Sequence, residues 1–214
     1  MRSDAWVLAF DTSAAHCAAA LLYGDSVVTQ AFEELPRGQA ERLLPMLEDI
    51  LKAGGIQWSD LALLAVGVGP GNFTGVRIAV SAARGLSLGL GIPAIGVSVF
   101  EARAEGLPRP MCVLEDARRN EIYFQRFDPD PGPPQLLSLS EAACLDDEDA
   151  TGTAAETVAS AAKLTVHAQT YPLAEAIARV GARKASVPQP RPAPLYVRQA
   201  DAAPSAQSAP PILA

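Results

Sequence analysis

The chain has 214 residues, 49% of them hydrophobic, enough for one large domain or two lobes around a buried core. Its 24 Asp and Glu against 17 Lys and Arg give a net charge of −7, which sets the surface as a whole against a polyphosphate and disfavours nucleic-acid binding by the chain alone. Cys17, Cys112 and Cys144 form neither a CxxC pair nor a disulfide framework, which fits a reducing cytosol. No basic and apolar leader opens the chain, and its most apolar region, 78–100, is broken by Arg84, several glycines and Pro93, so neither a signal peptide nor a membrane span is expected.

In chain order, "WVLAFDTSAAHCAAALLYGDSVVTQAFE" reads as a meander of three strands, turning first on small polar residues and then on "YGDS". In "GQAERLLPMLEDILKAGG", Ala40, Leu43, Leu44, Leu47, Ile50 and Leu51 recur at helical spacing, Pro45 bends the helix, and Gly54–Gly55 stop it. "LALLAVGVGPG" is a buried strand. A helix follows from near Gly75, with Thr74 as its predicted cap, and "IPAIGVSVF" is a further strand, giving the order βββαβαβ. A faint repeat links "VLAFDTSAAHCAAALL" around Asp11 to "CVLEDARRNEIYFQRF" around Asp116, each an apolar strand ending in Asp, a polar turn and a returning strand; a duplicated, eroded lobe from near Arg109 fits it. Beyond "DPDPGPP" the chain is Ala-rich and acidic, with a weak helix at 173–180 and a Pro/Ala/Ser tail from about Ala200 that composition predicts to be disordered.

"GVGPGNFTGVRIAVSAARG" resembles a phosphate loop feeding a helix, but a P-loop needs a lysine where Thr74–Gly75–Val76–Arg77 has none, and Gly69, Gly71 and Gly75 are spaced GxGxxxG rather than GxGxxG. Two readings remain open: exposed backbone amides that hold an anion, or a tight strand-to-helix turn. "DTSAAHCA" likewise suits either a magnesium and phosphate site using Asp11 and Thr12 or a plain hairpin turn. His16 and Cys17, adjacent on a strand, point to opposite faces, which argues against a Cys–His pair. His167 has no ligand partner at metal spacing, and no G-x-S-x-G elbow occurs. The helix from Val76 is apolar or small nearly all round, interrupted by Arg77, Ser81, Arg84 and Ser87, and so needs cover on more than one side.

With "LAFDTS", "RLLPMLEDIL", "VGVGPGNFTGVRIAVSAARGLSLGLGIPAIGVS", "EDARRNEIYFQRF" and "APLYVRQ" in this order, the sequence resembles the bacterial TsaB (YeaZ) family, strongly over Val7 to about Glu101 and more loosely beyond. The resemblance implies an α/β fold of the actin, sugar-kinase and Hsp70 (ASKHA) type: a first βββαβα lobe over 1–105, a reduced second lobe over 106–199, and a tail over 200–214. It implies a cytoplasmic, non-catalytic subunit, without cofactor or metal of its own, in the formation of N6-threonylcarbamoyladenosine beside the anticodon of tRNAs reading codons that start with A. Its partners would be the paralogous transferase TsaD and, in a ternary complex, the ATPase TsaE; alone it would form a homodimer, and tRNA would be met only through the complex. The HxxxH metal pair of TsaD falls on Val99 and Arg103, neither an ordinary ligand. Asp11, Thr12, Gly69, Gly71 and Thr74 would form a vestigial nucleotide or anion site. Leu43, Leu47 and Ile50 of one helix and Arg77, Ala82, Ala83 and Leu86 of the next would dock the partner, with Gln39 where the family often has His. A metallopeptidase is undercut by the missing His pair; a nucleotide-dependent ATPase or kinase using Asp11 and Thr12 is the alternative.

Overall fold

A computed structural model describes residues 4–198. The first half runs β1 (Trp6–Asp11), β2 (His16–Tyr23), β3 (Ser26–Glu34), α1 (Gln39–Ala53), β4 (Leu61–Gly67), α2 (Phe73–Leu90), β5 (Ala94–Val97) and the short α3 (Val99–Arg103). The strands form one sheet in the order β3-β2-β1-β4-β5, with β1 antiparallel to β2 and parallel to β4. In the middle of this sheet both faces are apolar, because both are covered. Leu8, Phe10, Leu64 and Val66 face α1 and α2, while Val7, Ala9, Leu63 and Ala65 face the opposite way.

The second half runs β6 (Met111–Asp116), β7 (Glu121–Asp128), β8 (Asp130–Pro131), β9 (Gln135–Ser138), α4 (Leu139–Ala142), β10 (Asp146–Thr151), α5 (Ala155–Ala159), β11 (Lys163–Val166) and α6 (Leu173–Lys184). Its sheet has the order β11-β10-β6-β7-β8, and β9 also pairs with β7. The path β9-β7-β6-β10-β11 therefore repeats β3-β2-β1-β4-β5 strand for strand, antiparallel at β6–β7 and parallel at β6–β10 and β10–β11. The two Asp turns obey the same local rule: Asp11 Oδ1 accepts the Ser13 amide, and Asp116 Oδ1 accepts the Arg118 amide. The copy is reduced in its helices. Where α1 and α2 have 15 and 18 residues, α4 and α5 have 4 and 5.

The expected boundary at residue 105 needs one correction. The α6 helix packs on the first sheet, where Ala174, Ile177, Ala178 and Val180 join Val7, Ala9, Leu63 and Ala65. The chain then crosses the end of β4, with Leu195 N donating to Val68 O, so residues 173–195 complete the first lobe. Phe100 and Ala104 meet Met111, Val113 and Phe127 between the lobes, and Arg103 pairs with Glu115 at 3.0 Å.

Three helix details also differ. Ala40 and Leu44, expected on the apolar stripe of α1, are exposed, and Met46 is buried instead. The α2 helix begins at Phe73, ahead of the expected Gly75. The strand expected through Phe100 stops at Val97, and Ser98 caps a helix. The tail expected to be disordered, 200–214, lies outside the described residues. No helix among the described residues is long and apolar enough to cross a membrane.

Gly181 is the point of closest approach between α6 and β4: a Cβ there would lie 2.6 Å from Ala65 Cβ. Gly181→Val should therefore cost about 2–3 kcal/mol by overpacking, a loss that thermal unfolding will measure; an unchanged melting temperature would contradict this docking of α6.

Candidate functional site

The site begins where β1 ends. Asp11 is wholly buried, and its Oδ1 accepts hydrogen bonds from Ser13 N (2.9 Å) and Ser13 Oγ (2.7 Å) and lies 2.8 Å from His16 Nε2. The aspartate, serine and histidine have the composition of a hydrolase triad without its connectivity. Serine and histidine both engage the carboxylate, and no bond joins the hydroxyl to the imidazole. Cys17, one residue on, points into the opposite face with α1 and α2, as the strand alternation predicts. Asp11 Oδ2 lies against Gly67, has no partner among the described residues, and would clash at 1.8 Å with any Cβ there.

The glycine loop is pressed onto this turn, backbone against backbone. Asn72 N donates to Ser13 O at 2.6 Å, and Thr12 Oγ1 donates to Gly75 O at 2.7 Å. A Cβ on Gly71 would lie 2.2 Å from Ser13 O, and one on Gly75 would lie 1.9 Å from Thr12 O. Gly69, at φ 91°, turns the chain in a conformation that favours glycine. The structure thus brings the Asp11–Thr12 turn against Gly71 and Gly75, while Gly69 turns the chain beside Gly71 and its carbonyl accepts from Val99 N; Asp11 Oδ1 and Thr12 Oγ1 are spent on Ser13, His16 and Gly75.

Thr74, expected to cap α2, does not. The cap is Asn72, whose Oδ1 accepts from Thr74 N (3.0 Å) and Gly75 N (3.1 Å). Asn outranks Thr as a cap because its carbonyl reaches the N2 and N3 amides, and "NFTG" carried that signal. These are the amides an anion at the helix N-terminus would use, so a phosphate there would have to displace Asn72 and approach the Asp11 carboxylate.

Val99 and Arg103 sit at opposite ends of α3, one turn apart on the same side, where an HxxxH pair would converge. Val99 is buried, and Arg103 is held by Glu115. Among the described residues no three His, Cys, Asp or Glu side chains come together as a metal site. His167, which has no ligand partner at metal spacing in the sequence, pairs with Asp149 at 2.8 Å. A separate cavity of about 350 Å³ opens between the lobes at Val68, Ser98, Glu101, Gln125, Lys184 and Leu195; there Lys184 Nζ engages Glu101 (2.9 Å) and Gly96 O (3.0 Å).

Of the residues assigned to a partner surface, Leu43, Leu47, Ile50 and Ala83 lie in the core of the first lobe. Ala82 and Leu86 are half-buried, and Arg77 is exposed. The outward face of α2 instead carries Phe73, Arg77, Ser81, Gly85 and Leu88.

Two lobes of one duplicated topology, each with an Asp turn at the end of its first strand, define a protein of the ASKHA fold. The (R)-2-hydroxyglutaryl-CoA dehydratase component A of Acidaminococcus fermentans shares that fold, with a TM-score of 0.55 at 10% identity over 86% of this chain and 100% of that one. Residues 33–192 match the family model described as TsaD, tRNA N6-adenosine threonylcarbamoyltransferase. The tRNA threonylcarbamoyladenosine biosynthesis protein TsaB of Escherichia coli K12 is 41% identical over 129 residues, 58% of this chain and 55% of that protein. YeaZ from Pseudomonas aeruginosa superposes with a TM-score of 0.71 at 29% identity, over 90% of this chain and 99% of that one. The chain belongs to the TsaB/YeaZ family. In sequence it spans about half the length of the curated relatives it matches.

The latch and the cap separate by mutation. Gly75→Ala should cost about 2–4 kcal/mol, since a backbone carbonyl blocks the new Cβ, whereas Asn72→Ala should cost about 1 kcal/mol; denaturant titration gives both, and equal losses would refute the latch. Burial, followed by the Glu33 carboxylate, pushes the Cys17 thiol up to about 11, and burial does the same to Cys112, while Cys144 is exposed. A disulfide-exchange reagent at pH 8 should therefore titrate one thiol per native chain promptly and three after denaturation.

Proposed function

We propose that this chain is the non-catalytic, partner-binding subunit of a cytoplasmic assembly that forms N6-threonylcarbamoyladenosine in tRNAs reading codons that start with A. It supports a TsaD-type transferase, which a TsaE-type ATPase joins; without that partner it pairs with itself, and tRNA meets it through the complex. The observation that carries this reading is α3. Its two ends have the spacing of a metal-binding pair, yet they hold a buried valine and an arginine engaged by Glu115. The Asp11 turn supports it too, because a phosphotransfer enzyme would need Asp11 and Thr12 facing a nucleotide, whereas Asp11 Oδ1 and Thr12 Oγ1 are bonded inside the protein. The scaffold role also suits the exposed face of α2, which the described residues leave uncovered.

The decisive experiment is transfer to unmodified tRNA by the TsaD homologue of the same organism, supplied with threonylcarbamoyl adenylate, with and without this chain. The chain alone should give no product, and its addition should raise the homologue's turnover. One zinc or iron held per chain against a chelator, or magnesium-dependent ATP turnover by the chain alone, would overturn the reading in favour of an enzyme.

A further inference from the structure

The cavity between the lobes stands apart from the Asp11 turn and has a chemistry of its own. One wall comes from the first lobe, at the ends of β4 and β5, the start of α3 and the last residue of α6; the other comes from β7 and the turn after it. On β7, Gln125 pairs across to Val113 and alternates with Phe127 on the side turned toward Phe100 and Ala104 of the first lobe. It is 7% exposed. Its Nε2 donates to Gly132 O at 2.6 Å, which fixes the orientation of the amide and leaves Oε1 buried with no hydrogen-bond partner among the described residues. An unpaired acceptor in that position costs stability, and a methionine of similar length would avoid the cost.

On the opposite wall Lys184 Nζ donates to Glu101 Oε1 and to Gly96 O, so an ammonium with three donors keeps one N–H to spare. Glu101 Oε2 is taken by Ser98 N (2.8 Å) and Ser98 Oγ (3.0 Å), which leaves Oε1 as the carboxylate oxygen with room for a second donor. Lys184 and Glu101 cancel each other's charge, so a ligand with a net charge would bury it uncompensated. Val68, Pro131, Pro134, Pro194 and Leu195 make the rest of the lining apolar. The volume is at the small end for a ligand site. None of the described lining residues belongs to either Asp turn or to the glycine loop, and a nucleotide would set several negative charges beside Glu101.

We propose that this cavity binds a small aliphatic α-amino acid as its zwitterion. The ligand carboxylate accepts the spare N–H of Lys184, its ammonium donates to Gln125 Oε1 and Glu101 Oε1, and its side chain lies against the proline and leucine walls. A zwitterion combines an acceptor at one end, a donor at the other and no net charge, which are the properties these walls complement. Lys184 and Glu101 pack with the first lobe and Gln125 belongs to the second, so the bound ligand spans the two. The site is independent of the partner-binding reading, which the transfer assay tests separately.

The test titrates the full chain with L-valine, L-leucine and L-isoleucine, read by thermal unfolding and by the backbone amide spectrum. At about tenfold excess over its Kd, at least one should raise the melting temperature by about 3–5 °C. The amides it shifts should be those of Gly96, Ser98, Gln125 and Leu195. The amine and the acid that each lack one charged group of the best binder, isoamylamine and isocaproate for leucine, should bind about tenfold more weakly or worse. Gln125→Met should weaken binding by a similar factor while leaving the melting temperature of the free protein nearly unchanged, because removal of the unpaired acceptor offsets the lost Gly132 bond. Failure of all three amino acids to bind overturns the proposal, as do amide shifts confined to another part of the chain. Binding of either half-molecule as tightly as the amino acid, or unaltered binding by folded Gln125→Met, overturns it equally.

Discussion

Everything near the Asp11 turn depends on how closely two backbones approach. Thr12 O and Ser13 O occupy the space where Gly75 and Gly71 would carry side chains, and Asn72 N closes the contact at 2.6 Å. With the loop seated there, α2 starts at a fixed point, its first amides are capped by Asn72, and its outward face is aimed away from the sheet. In a phosphate loop the same glycines leave amides free for a ligand. Here the amides of Asn72, Thr74 and Gly75 are bonded within the protein, so the product of the loop is the position of a helix.

The duplicated lobe shows the other half of that economy. Strand order and direction persist in the second sheet, while the helices between the strands shrink to single turns. Strand pairing is a backbone property that survives the loss of side-chain pattern, whereas helices of four or five residues persist only as caps on a packed edge. Full-length helices remain where they cover the first sheet: α1 and α2 on one face, α6 on the other.

The first lobe was legible because its periodicities are strong. Alternation and continuous apolar runs marked β1, β2 and β4, and helical spacing marked α1. In the second lobe, β10 reads "DDEDAT", an acidic run with the composition of a loop; it lies between β6 and β11 because Ala150 and Thr151 enter the core, Asp149 meets His167, and Glu148 meets Cys112 and Arg126. Those partners are distant in sequence, so no local pattern announces them. At the site, Asp11, Thr12 and Gly71 were recognisable as residues that belong together, but whether their polar atoms faced a ligand or one another is a matter of tertiary direction. Likewise, a 3.6-residue stripe on α1 does not separate core from partner surface: Leu43 and Leu47 face the sheet, while Leu44 between them faces out.

The return of α6 to the first sheet bears on how the chain acquires its structure. Ala174, Ile177 and Ala178 cover Val7, Ala9 and Leu63 from more than 100 residues away. During synthesis the first sheet emerges early with one apolar face uncovered, and its second cover is delivered only after the whole second lobe has been made. The second lobe therefore works as a folded tether between the first sheet and the helix that covers it. Ending the chain before Leu173 would leave the apolar underside of the first sheet open, a surface better suited to aggregation than to function.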